Sequence, residues 1–367
     1  MPVHLSAHRV TGAVTSPAPT TPTEVRPGGR PRVSVGIPLH DYEQYLEECV
    51  VSVLAQDGVD VDVTIIDDAS NDGSLALARR LAAQDPRVVV RAHEVNHGHI
   101  ATFSEALAVG DAPYVLKMDA DDVLPPGALR RSLTLMEAHP EVAFCYGYAQ
   151  RFEGATPVGT RTAVRRWSVW TGPEWIERRV RRGHNVILQP EVVIRRSALE
   201  QVGGHDVRVA AASDLHLWLR LASVGGVARV DGPVQGLYRV HGSNMHSTMH
   251  GGFWRDLQAR ADAFALFLDE HGDRLPDLER TRATLARTLA RDALRMVQRD
   301  AEGRIELEVP AEQLLAFARE SDPTIVRTRA WRRTCRADGT VRTGPVGALL
   351  RDLEDKARWR VWRRYGM

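Results

Sequence analysis

The sequence predicts an α/β protein in which a mostly parallel sheet is flanked by helices and followed by a helical C-terminal extension. From Val33 onward, short runs of β-branched residues alternate with helical stretches, which is the pattern of strands joined by crossover helices. Beyond about Gly252, apolar residues recur at three- and four-residue spacing, which predicts long amphipathic helices. With 367 residues, 43% of them hydrophobic, the chain can form one large domain with an extension, or two domains.

Three regions are expected along the chain. Residues 1–30 are rich in Pro, Thr and Gly and contain few apolar residues, so they are expected to be a disordered extension. Residues 31–250 carry the alternating pattern and are expected to form the α/β domain. Residues 251–367 are expected to form the helical region.

The individual elements follow from the periodicity of the apolar residues and from the Gly, Pro and Asp clusters that interrupt it. The predicted strands are Val33–Pro38, Val61–Asp67, Arg87–Ala92, Tyr114–Met118, Val142–Tyr148, Val186–Arg195 and Val227–Tyr238. The predicted helices are Gln44–Ala55, Ser74–Ala83, His99–Val109, Pro126–Ala138, Asp214–Ser223, Trp254–His271, Leu278–Gln298 and Pro310–Arg319.

Three predicted strands end at Pro38, at the pair Asp67 and Asp68, and at the run Asp119–Asp122. Because ligands of open α/β sheets bind at the carboxyl ends of strands, one surface is expected to gather them. Three clustered carboxylates repel one another unless a cation or hydrogen-bond donors lie among them, so the run indicates a divalent cation site. A solvated acidic turn that caps the next helix is the alternative for each cluster.

The composition excludes some classes of function. Lys and Arg number 48 and Asp and Glu 47, so a net charge of +1 gives no basic field for nucleic acid. The three cysteines are widely spaced without a zinc or redox pattern, which favours a reducing, cytoplasmic location. No window is apolar enough to predict a membrane span, and the N-terminus lacks a signal-peptide pattern.

The order of the segments resembles that of the family 2 glycosyltransferases, which have the GT-A fold, a Rossmann-like arrangement, and transfer a sugar from a nucleotide diphosphate. The resemblance runs from about Arg32 to His246. The matching segments are the strand Val33–Pro38, the helix Gln44–Gln56, the turn Ile66–Ser74, the Asn-x-Gly element Asn96–Gly98, and Asp119-Ala120-Asp121 at the place of the DxD motif. Five such segments in the right order are more specific than any one of them.

The resemblance implies a role for each matching residue. Asp68 would hydrogen-bond the base, and Pro38 would help to shape the base pocket. Asp119 would contact the ribose or the water shell of the metal, while Asp121 would bind Mn²⁺ or Mg²⁺, ions that suit oxygen ligands and substrate phosphate. The residues implied for the nucleotide sugar are Pro38, His40, Tyr42, Asp67, Asp68, Asn96, Gly98, Asp119, Ala120 and Arg239, and those implied for the metal are Asp119, Asp121 and His241.

The segment Ser213–Leu221 resembles the part of the family in which an acidic pair opens a helix and supplies the catalytic base. Ser213 replaces the usual first acid, which leaves Asp214 as the candidate base; a simple N-cap is the alternative. Tyr238–His246 resembles the Tyr-Arg-x-His segment, in which Arg239 would pair with phosphate and His241 would complete the metal shell, with His246 a weaker candidate. After Pro38, His40 and Tyr42 stand where the family often has Tyr-Asn, so base stacking would pass to one of them.

The function implied is inverting, metal-dependent transfer of one sugar to an acceptor hydroxyl on a glycan, lipid-linked sugar or small molecule, in polysaccharide or glycoconjugate synthesis. A sugar nucleotidyltransferase is disfavoured because Pro38–Tyr45 has neither glycine nor Lys or Arg to hold a triphosphate. A non-catalytic nucleotide-binding scaffold is the other alternative. The feature that favours it is Ser213, which stands where the family usually has an acid.

Two arginine-rich segments have alternative interpretations. The stretch 161–182, which includes three tryptophans, would bind an acceptor or form a solvated helix face with anchoring tryptophans. A C-terminal amphipathic stripe from Val346 to Val361 would dock peripherally on the inner face of an anionic membrane or pack on its own protein.

Overall fold

The computed structural model describes residues 29–242, 244, 252–336 and 340–342. Within them, the chain forms an eight-stranded sheet in the order β3-β2-β1-β4-β7-β5-β8-β6. The strands are β1 (Arg32–Leu39), β2 (Asp60–Asp67), β3 (Val88–Ala92), β4 (Tyr114–Lys117), β5 (Val142–Phe152), β6 (Arg166–Trp170), β7 (Val193–Arg195) and β8 (Gly226–Arg239).

The sheet is parallel over β3-β2-β1-β4 and mixed beyond it. Strand β7 runs antiparallel to both β4 and β5, β8 runs parallel to β5, and β6 runs antiparallel to β8. In β1, every residue after Arg32 is buried, as expected for a central parallel strand covered on both faces. The sequence prediction of a mostly parallel α/β sheet is therefore confirmed.

Helices cover the sheet and form the region after β8. They are α1 (Glu43–Leu54), α2 (Ser74–Gln84), α3 (His99–Leu107), α4 (Ala128–Ala138), α5 (Gly172–Arg182), α6 (Arg196–Val202), α7 (Ser213–Val224), α8 (Phe253–His271), α9 (Leu278–Ala301), α10 (Ala311–Ser321) and α11 (Arg329–Thr334). Short 3₁₀ turns lie at Val207–Ala212, Gly272–Arg274 and Pro323–Arg327. No helix among the described residues is long and apolar enough to cross a membrane.

The predicted strand Val186–Arg195 was too long, because only Val193–Arg195 pairs in the sheet. Gln189 has a φ of 93°, which takes the chain out of extended backbone, and Pro190 follows it. The segment before β7 is therefore a loop, and residues 187–189 line the main cavity.

The arginine-rich stretch contains β6 and α5, which the sequence analysis did not assign. Thr171 and Glu174 form a capping box at the start of α5. Trp175 is 1% exposed and lies beneath the Arg179 guanidinium, whose carbon is 5.2 Å from the ring centroid. The tryptophans Trp167 and Trp170 are buried as well, so all three anchor the core instead of forming an acceptor surface.

The helices after β8 share a hydrophobic core with the α/β part. Phe144 of β5 packs against Trp218 of α7, with ring centroids 5.5 Å apart. The same cluster continues into Phe264 of α8 and Leu289 of α9. The segments 1–28 and 343–367, including the proposed membrane stripe, lie outside the described residues, and the three-region division stays a prediction.

One close approach gives a testable consequence for stability. A Cβ on Gly36 in β1 would lie 2.0 Å from the carbonyl oxygen of Ala106 in α3, so helix and sheet would have to separate. We expect Gly36→Ala to lower the free energy of unfolding by about 3 kcal/mol, the upper end of the cost of overpacking a core, measured by urea denaturation.

The matched control is Gly303→Ala, where no atom lies within 4 Å of the added Cβ and only the positive φ of 67° opposes alanine. This control should lose about 1 kcal/mol. An equal or smaller loss in Gly36→Ala would contradict the tight α3 packing.

Candidate active site

A cavity of about 400 Å³ lies at the carboxyl edge of the sheet. It is lined by Pro38 of β1, by Tyr42 at the N-cap of α1, by Asp119–Asp121 after β4, and by Ser213 and Asp214 at the start of α7. Further parts of the wall come from α3, β5, the loop before β7, the 3₁₀ turn before α7, the end of β8 and α8. The structure thus brings the predicted DxD residues and the predicted base to one cavity.

Asp119, the first carboxylate of the DxD, is paired with a buried lysine. The Lys117 ammonium lies 2.6 Å from Asp119 Oδ1, and the lysine side chain is 1% exposed. The same ammonium stands 3.7 Å from the centroid of the Phe103 ring. This ion pair offsets part of the repulsion among the clustered carboxylates.

Asp121, the second carboxylate, faces the segment after β8. Its Oδ2 lies 2.9 Å from Nε2 of His241 and accepts a 3.3 Å hydrogen bond from the Asn244 amide. Burial and the nearby Asp119 raise the pKa of Asp121, although His241 opposes the shift. The ionised form of Asp121 is therefore disfavoured at this position, and a positively charged partner beside the carboxylate would stabilise it.

Asp122 and Arg239 are hydrogen-bonded to each other next to the DxD residues. Asp122 Oδ1 accepts a 2.8 Å hydrogen bond from the Arg239 main-chain N–H. The guanidinium donates to the Asp121 carbonyl at 2.8 Å and pairs with Glu48 at 2.5 Å. It also lies 4.8 Å from the Tyr45 ring centroid. Through these contacts, Arg239 positions the backbone of Asp121. Its pairing with phosphate stays a prediction.

The turn after β2 buries two carboxylates: Asp67 is 0% exposed and Asp68 is 3% exposed. Both oxygens of Asp68 accept main-chain hydrogen bonds, from His97 N at 2.8 Å and Gly98 N at 3.0 Å. Burial raises its pKa, but these bonds and a 2.8 Å contact with His93 Nδ1 outweigh burial and lower the pKa. Asp67 is 0% exposed and accepts a hydrogen bond from Ser70 N, so it holds the turn and has no surface for a ligand in this structure.

The other predicted nucleotide residues lie around this turn. His40 Nδ1 is 2.9 Å from the Asp68 carbonyl oxygen, and the Asn96 amide nitrogen is 3.4 Å from His40 Nε2. Asn96 Oδ1 accepts from Gly98 N at 2.8 Å, and Gly98 has a φ of 86° that favours glycine. His40 and Asn96 are exposed at this rim.

Asp214 opens α7, and its side chain is 34% exposed. Its Oδ1 is buried, has no hydrogen-bond partner among the described residues, and lies 3.8 Å from His205 Nδ1. Burial raises the pKa of Asp214, while Lys117 and His99 lower it. The N-cap position of α7 is Ala212, which makes no side-chain cap hydrogen bond, and Asp214 is the acidic residue of the first turn.

The donor set near Asp121 suits a divalent ion. One carboxylate and one imidazole face each other at 2.9 Å, and the Asp122 Oδ2 beside them is buried without a hydrogen-bond partner among the described residues. Oxygen and imidazole donors fit Mn²⁺. Among the described residues, none of Asp119, Asp121 and His241 belongs to a group of three ligand atoms within 4.8 Å of one another. The Asp119 carboxylate pairs with Lys117, and His246 lies outside the described residues.

Comparisons with known proteins agree with this architecture. TarS from S. aureus, solved with UDP-GlcNAc, has a TM-score of 0.56 at 14% identity over 79% of each chain. Mannosyltransferase PcManGT from Pyrobaculum calidifontis, solved with GDP-Man and Mn²⁺, has a TM-score of 0.52 at 20% identity over 83% of each chain. The O-antigen biosynthesis protein RfbC of Myxococcus xanthus is 30% identical over 195 residues, which are 53% of this chain and 14% of RfbC.

The fold and the strand-end cavity define an α/β protein of the GT-A type. Residues 34–203 match the model for glycosyl transferase family 2. This match, over just under half of the chain, confirms the resemblance to the family 2 glycosyltransferases that the motif order predicted. It spans less than half the length of the curated relatives it matches.

Lys117 lines the cavity and was not among the predicted site residues. A signal was present, because the chain has only two lysines, Lys117 and Lys356, while arginine supplies nearly all the positive charge. A compact ammonium can be buried beside one carboxylate and one ring where a planar guanidinium would need more space and more acceptors. A rare lysine just before an acidic run was thus informative.

Proposed function

We propose that this protein is a metal-dependent, inverting glycosyltransferase that moves one sugar from a nucleotide diphosphate to an acceptor hydroxyl. The observation that carries the proposal is the single cavity lined by Pro38 and Tyr42, by Asp119 and Asp121, and by Asp214. The reaction needs a group that binds the nucleotide, a group that binds the metal and a general base, all within reach of the same substrate. The match of residues 34–203 to the family model supports the reaction class.

The donor is proposed to enter with its base at the β2 end of the cavity. Asp68, held ionised by main-chain hydrogen bonds, would accept from the base, and His40 or Tyr42 would stack on it. The UDP-GlcNAc and GDP-Man bound by TarS and PcManGT support a nucleotide sugar as donor. Asp67, whose carboxylate accepts a hydrogen bond from Ser70 N, is proposed to act indirectly by holding the turn that carries Asp68.

Asp121 and His241 are proposed to hold Mn²⁺ or Mg²⁺, with Asp119 contacting the ribose or a water on the ion. When bound, the ion would supply Lewis-acid stabilisation of the leaving diphosphate. Lys117 would keep the Asp119 carboxylate in place, and Arg239 would fix the backbone of Asp121 from below.

Asp214 is proposed as the base that removes the proton of the acceptor hydroxyl. Its outer oxygen would face the acceptor, while Oδ1 lies on the buried His205 side. Burial lowers the pKa of His205 to about 3, with Lys117 and Arg220 adding to the shift, so this imidazole is neutral and does not neutralise the base. A single displacement assisted by one base gives inversion at the sugar carbon.

The acceptor is proposed to be a glycan, lipid-linked sugar or small molecule of polysaccharide or glycoconjugate synthesis. The likeness to an O-antigen biosynthesis protein supports that setting. Three free cysteines, all buried, agree with the proposed cytoplasmic location. Peripheral membrane contact through residues 346–361 stays a prediction outside the described chain.

A panel of nucleotide sugars incubated with Mn²⁺ tests the proposal, with release of nucleoside diphosphate as the readout. At least one donor should be consumed by slow hydrolysis even without acceptor, and chelation should stop the release. Binding of a nucleoside diphosphate without turnover of any donor would instead support the non-catalytic scaffold that Ser213 leaves open.

Lys117→Met should shift the pH dependence of transfer. The ammonium lowers the pKa of Asp214, so its removal raises that pKa, and the base is then ionised only at higher pH. We expect the acid limb of the rate profile to move to higher pH and the maximal rate to fall, because Asp119 loses its 2.6 Å partner. An unshifted acid limb would show that Lys117 does not act on the base.

A further inference from the structure

We propose that Asp206, His216 and Glu270 form a second metal site, for a divalent transition metal with Zn²⁺ as the best-fitting ion. None of the three lines the active-site cavity. The inference is independent of the proposed function, because it needs neither a nucleotide sugar nor catalysis.

The three residues come from different elements that pack together. Asp206 caps the 3₁₀ turn Val207–Ala212, His216 lies in the first turns of α7, and Glu270 lies in the last turn of α8. One ligand atom from each lies within 4.8 Å of the other two. Tetrahedral zinc with bonds of about 2.0–2.1 Å needs ligand atoms roughly 3.3 Å apart, so modest side-chain movement would close the site.

His216 is the observation that points to a ligand. Its side chain is 0% exposed, and neither ring nitrogen has a hydrogen-bond partner among the described residues. Buried polar side chains in folded proteins almost always have a partner. Burial lowers the pKa of His216 to about 4, and Arg220 adds to this, so the imidazole is neutral and has a lone pair for a metal.

Arg208 forms ion pairs with both carboxylates of the proposed site. Its guanidinium lies 2.6 Å from Asp206 Oδ2 and 2.6 Å from Glu270 Oε1. The Arg208 side chain is 55% exposed, so it can turn to solvent when an ion enters. Arg208 pairs with both carboxylates, but no partner is present for the imidazole among the described residues; a metal would take the lone pair of one ring nitrogen and bind both carboxylates.

One imidazole with two carboxylates favours zinc over Mg²⁺, which prefers oxygen ligands in octahedral geometry. The bound ion would tie α8, which follows the segment matched by the family model, to α7, which carries Asp214 two residues before His216. The site would therefore fix the base-bearing helix against the C-terminal helices.

The test is isothermal titration of the metal-stripped full chain with ZnCl₂, together with thermal unfolding. Because Asp68, His93 and His97 form another close group, the readout is the number of zinc equivalents bound. Wild type should be stabilised by zinc, and both His216→Gln and Glu270→Gln should lose one equivalent. Arg208→Gln should bind that equivalent at least tenfold more tightly, because the competing cation is gone.

The control is His139→Gln, which breaks a solvent-facing pair with Glu141 and should leave zinc binding unchanged. If His216→Gln does not fold, as judged by circular dichroism, Glu270→Gln with its partly exposed side chain decides the outcome. Equal stoichiometry in wild type and Glu270→Gln, or weaker binding in Arg208→Gln, would overturn the proposal and leave a salt bridge beside an unpaired imidazole.

Discussion

Asp214→Asn is expected to lower the rate of sugar transfer by about 10²–10⁴-fold at saturating donor and acceptor, because the acceptor hydroxyl loses its base. The amide keeps the shape of the carboxylate but cannot take a proton. Donor binding should change little, since the donor contacts proposed here lie at the β1, β2 and β4 strand ends. Initial rates of transfer, with nucleoside diphosphate affinity measured by calorimetry, separate the two effects.

The matched control is Asp269→Asn on α8, an aspartate that is 63% exposed and paired with Arg282 at the surface. It should transfer at the wild-type rate, since surface pairs contribute at most about 1 kcal/mol to stability and this one lies outside the cavity. Near-wild-type transfer by Asp214→Asn would mean that the aspartate only serves the start of α7.

Asp121→Asn is expected to remove the dependence of activity on Mn²⁺ together with most of the activity. Lewis-acid stabilisation of a leaving diphosphate is worth several kcal/mol, which corresponds to a fall of roughly a thousandfold. The concentration of Mn²⁺ needed for half-maximal nucleoside diphosphate binding should rise at the same time. Calorimetry with and without Mn²⁺ measures it.

The thermal stability of Asp121→Asn should not fall together with its activity. Burial and Asp119 raise the pKa of Asp121 above its unfolded value, so its contribution to stability is present below the unfolded pKa and is lost as pH rises through the folded pKa. At neutral pH, asparagine removes a buried charge, and Asp121→Asn should unfold at the same or a slightly higher temperature. A large drop in melting temperature would indicate a structural role instead, and Asp60→Asn, exposed at the start of β2, is the control.

The parallel half of the fold was predictable because its strands and helices have simple periodicities. Strands β1 to β4 and helices α1 to α4 lie within a few residues of their predicted bounds. The region around β6, α5 and β7 was not predictable in the same way. The three-residue β7 inserts antiparallel between β4 and β5, and this insertion depends on tertiary pairing with few local sequence signals.

The candidate site was predictable at its strand ends and less so in its contacts. The carboxyl ends of parallel strands meet by geometry, which brought Pro38, Asp68 and Asp119 to one edge. Sequence spacing could not indicate that Asp67 turns inward, or that the Arg239 guanidinium points at Glu48 and the Asp121 carbonyl. Those orientations depend on packing from residues far away in the chain.

The central claim is that the cavity transfers a sugar from a nucleotide diphosphate by a single, base-assisted displacement. Proton NMR of the anomeric signals during a reaction with Mn²⁺ and a productive nucleotide sugar tests it most directly. We predict that the donor signal disappears and that the first product formed has the opposite anomeric configuration. Retention of configuration, or failure to consume any donor of the panel, would contradict the claim.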